Sequence, residues 1–212
     1  YNQIPRSIPG AVRFVNVDSL AAEVCRRLGE PVRPDQAAAD ELFTEAYQSV
    51  VTPGSALAKS FISEGYVRDE VDAVIRGRMI GAVDEYLVLE RTGRKTPLQA
   101  NARRQVWKIH EKFASLKRRH GVNDFIDVVS TAVRLTNRKK PQYRAAIIDE
   151  AQDLSLMALR LIRNLATNPK SAPRRDELML IGDGAQRVYP SCFTLAQAGL
   201  TVRGRSVTLT TN

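Results

Sequence analysis

At 212 residues, with 43% hydrophobic and 26% charged side chains, the chain has the balance of a soluble globular protein of one domain or two small ones. No apolar run approaches the ~20 residues of a membrane helix, no charged-then-apolar leader pattern opens the sequence, and Cys25 and Cys192 stand apart from any metal-ligand spacing, so the thiols read as reduced and the compartment as cytoplasmic. The net charge of +9 is uneven: residues 1–90 carry 9 basic and 14 acidic side chains, residues 91–140 carry 14 and 3, and residues 141–212 carry 9 and 6.

The first element is a strand. From Val12 to Val17 apolar and polar residues alternate, and the pattern then turns helical through Leu20, Val24 and Leu28, with Asp18 or Ser19 as the expected cap. Gly29-Glu30-Pro31-Val32-Arg33-Pro34 breaks that helix and reads as a boundary. From there to about Leu135 the periodicity is helical. Asp35 is placed to cap a helix running through Val51, which Thr52-Pro53-Gly54-Ser55 ends. Val67, Val71, Val74 and Ile75 recur at helical spacing, and Gly77 and Gly81 interrupt before a short helix from Val83 to Glu90.

Arg91-Thr92-Gly93-Arg94-Lys95 is a basic turn that leads into a helix from about Gln99 to Arg119. Ala102, Val106, Ile109, Phe113 and Leu116 make its apolar stripe, while Arg104, Lys108, Lys112 and Arg119 gather on a flanking face at ~100° per residue. The positive charge of residues 91–140 therefore suits a face and a turn that guide nucleic-acid backbone, with Arg91, Arg94 and Lys95 joining the helix cations. Trp107 or Tyr86 would stack a base if exposed; an ordinary solvated helix face with Trp107 in the core fits the same pattern. His110 and His120, the only histidines, have no ligand-type neighbours at metal spacing.

Ala145-Ala146-Ile147-Ile148 is an apolar run ending in Asp149-Glu150-Ala151-Gln152-Asp153, as expected of a parallel strand buried on both faces. Ligands of open α/β sheets lie beyond the carboxyl ends of the strands, where a carboxylate holds Mg²⁺ through water and its neighbour orients the water that attacks a phosphate. An acidic turn before a helix capped by Asp153 or Ser155 explains the same residues. Leu154, Ala158, Leu161, Ile162 and Leu165 then form one helix face, and Leu178-Met179-Leu180-Ile181 is a second apolar strand ending in Gly182-Asp183-Gly184-Ala185-Gln186-Arg187-Val188-Tyr189. Strand, helix and strand make a βαβ unit whose polar ends converge.

DEAQD followed by GDGAQRVY resembles motifs II and III of the UvrD/Rep-like family of superfamily 1 DNA helicases, in order and at about the family's separation. The resemblance implies an α/β fold: part of a RecA-like P-loop NTPase domain with a parallel sheet, interrupted by a large all-helical insertion. Residues 1–29 and 141–212 would be the two pieces of the ATPase domain and 30–140 the insertion. The E-Y-L…R-T-G-R-x-T-P-L run and Asp124-Phe125-Ile126-Asp127 resemble members with such an insertion. In the roles so implied, Asp149 holds the magnesium shell, Glu150 orients or activates water, Gln152 couples nucleotide state to its surroundings, and Gln186 senses the γ-phosphate of ATP. Tyr189 lies near the DNA track and Phe193 is a stacking aromatic. Ser19-Leu20-Ala21 matches part of a motif that touches single-stranded DNA.

The implied function is an ATP- and Mg²⁺-dependent helicase or translocase acting on single-stranded and duplex DNA, with the family's 3′ to 5′ polarity. The alternative is a non-catalytic DNA-binding or protein-interaction module on the same scaffold. No G-x-x-x-x-G-K-[ST] loop occurs, so by resemblance the phosphate-gripping loop lies before residue 1 and motifs IV to VI lie after Asn212, in the remaining helicase domains. Tyr1 in place of Met fits a fragment or a processed chain, and these 212 residues alone are expected to hydrolyse no ATP.

Overall fold

The computed structural model describes residues 12–91, 96–166, 177–182, 200 and 207, together with the backbone of 7 and 8. Two short strands come first, β1 (Ser7–Ile8) and β2 (Val12–Arg13), paired antiparallel. Helix α1 (Val17–Arg27) follows at once, and its cap is Asn16, whose side chain accepts from the backbone N–H of Ser19 at 2.7 Å. The expected cap at Asp18 or Ser19 is thus corrected: both residues lie inside the first turn. The expected strand is also shorter, and Val12, Phe14 and Val15 stay 40–49% exposed. Alternation had named two faces, but β2 pairs with β1 rather than with the parallel sheet, so neither face is enclosed.

The helical run begins at α2 (Gln36–Val50), capped by Asp35 as expected, and continues through α3 (Ala56–Lys59) and α4 (Glu64–Asp69). A π-helical segment, Glu70–Arg76, extends α4, and α5 (Val83–Val88) and the long α6 (Ala100–His120) complete the run. Gly121, in the left-handed region at φ 65°, ends α6 at the position where glycine carries no steric penalty. The apolar stripe of α6 is buried as its spacing predicts, against Phe43, Leu57, Val67, Val71 and Ile75. Each such side chain contributes about 1.5–3 kcal/mol through burial, and Phe43 meets Phe113 edge to face at 5.2 Å.

A second core joins α1, α7 (Phe125–Thr136) and α8 (Leu156–Ala166), through Leu20, Val24 and Cys25, then Val128 and Ala132, then Leu161 and Leu165. Although α7 continues the helical run in sequence, it shares its core with α1 and α8. Between the two cores stands an ion cluster. Arg76 holds Asp124 through two contacts of 2.7 Å and reaches Asp72 and Asp127 at 2.8 and 3.0 Å, while Lys117 reaches Asp124 at 2.9 Å and Asp127 at 2.5 Å. Asp124 and Asp127 also form the capping box of α7, so one cluster both starts that helix and fastens it to the helical run.

The sheet is formed by β3 (Ala146–Ile148) and β4 (Leu178–Leu180), parallel, with Ala146, Ile147 and Ile148 opposite Leu178, Met179 and Leu180. Helix α8 lies between them in sequence and covers one face, where Ile148 packs with Leu156, Leu159 and Ile162. The expectation of a strand covered on both sides is corrected: Ile147 and Met179 point from the other face and are 71% and 56% exposed. Period-two side-chain direction puts neighbours on opposite faces, and among the described residues only one face meets a helix. No described helix is long and apolar enough to cross a membrane.

Candidate nucleotide site and nucleic-acid face

Asp149 and Glu150 follow the last residue of β3 directly, at the carboxyl end of the sheet, and both are exposed. Asp149 accepts the backbone N–H of Glu150 at 3.0 Å. Glu150 itself adopts left-handed backbone, φ 50° and ψ 42°, and leads into a single 3₁₀ turn, Ala151–Asp153. Such strain in a residue with a Cβ costs about 1–3 kcal/mol and is concentrated at functional sites. The turn is held from beneath. Ile181 donates its N–H to Ile148 at 2.8 Å, Ala151 donates to Ile181 at 2.9 Å, and the Gln152 side chain donates to Glu150 at 2.5 Å.

Gly182 explains how the two polar strand ends meet. A Cβ there would stand 2.2 Å from Oε1 of Gln152 and 3.3 Å from the backbone nitrogen of Ala151, so a side chain at this position would push the Gln152 amide away from the chain leaving β4. The helix-capping explanation of the turn falls to Ser155, whose Oγ accepts from Ala158 at 3.1 Å and so starts α8. The carboxylates of Asp149, Glu150 and Asp153 are not used for that purpose, and among the described residues none of the three is ion-paired. Exposed, adjacent carboxylate oxygens are hard donors of the kind that hold Mg²⁺ through its water shell, so the residues present fit that ion. No group of three His, Cys, Asp or Glu side chains converges among the described residues. Gln186, the fourth residue of the expected site, lies outside the described residues.

The cations sort into two kinds. Arg104, Lys108 and Arg119 on α6 are exposed and Lys112 is half-buried, leaving a positive flank beside the buried stripe. Ser19 is exposed on the first turn of α1. Arg91 departs from the expected set. Its side chain is 5% exposed and is clamped on the fully buried Glu70 at 2.6 and 2.8 Å, with further bonds to the Tyr66 hydroxyl at 2.6 Å and the Thr96 carbonyl at 2.9 Å. Its charge is spent inside the fold. The proposed stacking aromatics are corrected for the same reason: Tyr86 is fully buried with its hydroxyl on Glu70 at 2.9 Å, and Trp107 stacks on Tyr86 with ring centroids 6.1 Å apart. Arg94, Lys95, Tyr189 and Phe193 lie outside the described residues.

Sequence reasoning missed the charged residues that build the interior. Nothing in the sequence sets Glu70, Arg76 and Lys117 apart from the other charges, yet all three are within ion clusters. The spacing Asp124-x-x-Asp127 carried a capping-box signal that marks a helix start, and it was the one available clue. His110 lies beside the Arg76 cluster, where burial, reinforced by Arg76, lowers its pKa to about 4. A cavity of about 450 Å³ there is lined by Arg76, His110, Phe113, Lys117 and Met157, and by neither Asp149 nor Glu150. The carboxylates that follow β3 therefore sit on an open strand end rather than in that cavity.

A family model described as the UvrD/REP helicase N-terminal domain matches residues 56–199, about two thirds of the chain. No curated protein matches it.

Proposed function

Because the chain belongs to the UvrD/REP helicase family, we propose that it forms part of the first RecA-like domain of an ATP-dependent DNA helicase or translocase, with a helical insertion. The division we favour gives residues 1–29 and 141–212 to the ATPase domain and the helical run to the insertion, with α7 counted beside α1 and α8 because it shares their core. The observation that carries this reading is the parallel β3–α8–β4 unit, whose two strand ends meet through Gly182 and Gln152 beside exposed Asp149 and Glu150.

In this reading Asp149 holds the water shell of Mg²⁺, and Glu150, displayed by its left-handed backbone, orients and deprotonates the attacking water. When bound, the ion offsets the charge of the ATP phosphates. Gln152 is placed to transmit the state of the site, since it touches Glu150 on one side and the chain at Gly182 on the other. Gln186 senses the γ-phosphate, and Tyr189 and Phe193 serve the DNA track. The remaining helicase domains of the polypeptide supply the phosphate grip. Arg104, Lys108, Lys112 and Arg119, with Arg94, Lys95 and Ser19, contact single-stranded or duplex DNA.

The test is Glu150→Gln in the full-length protein. Loss of a general base lowers turnover by about 10² to 10⁴-fold while nucleotide binding persists. ATP hydrolysis at the wild-type rate in that variant refutes the assignment, and DNA binding without any wild-type hydrolysis favours the non-catalytic module.

A further inference from the structure

The turn that closes α3 contains a residue that suits neither its backbone nor its surroundings. Phe61 donates its N–H to the carbonyl of Ala58 at 3.2 Å and Ile62 donates to Leu57 at 3.4 Å, the paired bonds of a Schellman termination. Leu57 and Ile62, both buried in the helical core, supply the apolar contact that accompanies it. The motif forces left-handed backbone on the residue between, and Phe61 accordingly has φ 52°. Glycine adopts that conformation freely, whereas a bulky side chain crowds the neighbouring carbonyl.

Nothing within the described structure offsets this cost. Phe61 is 96% exposed, so its ring buries almost nothing. Met79 provides the control. It ends the π-helical segment in the same way, donating to Arg76 while Ile80 donates to Ile75, each at 2.9 Å, with φ 58°. Its side chain, however, packs on the core of α1, α7 and α8. Strain at Met79 is offset by burial, and strain at Phe61 is not. A residue that breaks a local rule without a compensating contact marks a place where the surface is built for something outside the chain.

The surroundings identify the class of that contact. Lys59, two residues earlier, is an exposed cation. Helix α3 is fastened to α6 by the Leu57 N–H, which donates to Oε1 of Gln105 at 2.8 Å. Gln105 adjoins Arg104 and precedes Lys108 by about one turn, both exposed cations of the positive flank. An exposed ring carried on the same rigid unit as a cationic track is the combination that grips bases and backbone together. We propose that Phe61 is a base-stacking residue, displayed by its strained turn so that a nucleobase of a strand tracked by α6 packs on the ring. This inference rests on the nucleic-acid reading above.

The test measures single-stranded DNA binding by the full-length protein at several salt concentrations, for wild type, Phe61→Gly and Phe61→Trp. Phe61→Gly relieves the backbone, so its melting temperature is equal to or above wild type, while affinity falls about tenfold and the slope of log K against log salt is unchanged. Phe61→Trp keeps the affinity, and DNA quenches the added fluorescence. Wild-type affinity in Phe61→Gly, with wild type itself binding, overturns this inference alone. A melting temperature that falls together with affinity also overturns it, because the ring would then be a packing element. Absence of salt-dependent DNA binding by wild type removes the nucleic-acid reading and this inference with it.

Discussion

Asp124→Asn separates the two tasks of the residue that joins the helical run to the core of α1, α7 and α8. The carboxylate is 1% exposed and faces Arg76 twice at 2.7 Å and Lys117 at 2.9 Å, while it also accepts the Asp127 N–H at 3.0 Å as the cap of α7. Asparagine caps as well as aspartate, so the helix start survives and the loss reports the charge. Removing one partner of a buried ion pair costs about 3–5 kcal/mol, because the remaining cations are left in a poorly hydrated site. For a chain of this size that corresponds to a fall in melting temperature of roughly 6–20 °C. Asp124→Ala loses the cap as well and costs about 1 kcal/mol more. A cycle with Arg76→Met, followed by urea or thermal denaturation, should give a coupling energy above about 1 kcal/mol.

The pH dependence has a definite sign. Burial alone would raise the Asp124 carboxyl, but Arg76 and then Lys117 hold it well below the usual carboxylate range. A folded value below the unfolded 3.8 means that the ion-pair contribution is complete above about pH 4 and is lost as pH falls through the folded value. The difference between wild type and Asp124→Asn should therefore be constant from pH 5 to 8 and shrink in stronger acid. A cost below about 1 kcal/mol at pH 7, or a difference that does not shrink in acid, refutes the account.

His110 should add a loss of the same sign at higher pH within the same fold. Its folded pKa of about 4 lies below the unfolded 6.5, so the unfolded chain binds the extra proton in that window and stability is lost as pH falls from 6.5 toward 4; His110→Phe should flatten that segment of a melting-temperature profile, and an unchanged slope would sink the assignment. On the positive flank, Arg104→Gln with Lys108→Gln should weaken single-stranded DNA binding and reduce the magnitude of the salt slope by about 1.4, since each phosphate contact contributes roughly 0.7. A slope equal to wild type in a fluorescence anisotropy titration would remove those two side chains from the track.

Periodicity and local chemistry carried far in this chain. The spacing of Val106, Ile109, Phe113 and Leu116 marked the inward face of α6, Asp35 marked the start of α2, and two apolar runs around an amphipathic helix gave the parallel β3–α8–β4 unit. Family membership was legible because DEAQD and GDGAQRVY are contiguous in sequence. What was not legible depends on partners brought together from afar. Arg76 meets Asp124 across 48 residues, and Arg91 meets Glu70 across 21, so neither spacing reveals that the charges are internal. Tyr86 and Trp107 carry no sign in the sequence of which way their rings face, and only the packing of α5 on α6 turns them inward. The same holds for α7, helical by pattern but assigned to its core by contact with α1 and α8. Sequence determines which side of each element is apolar, because side-chain direction follows the local period. Tertiary structure decides which charges lose their water and which rings keep it, because desolvation is set by neighbours distant along the chain.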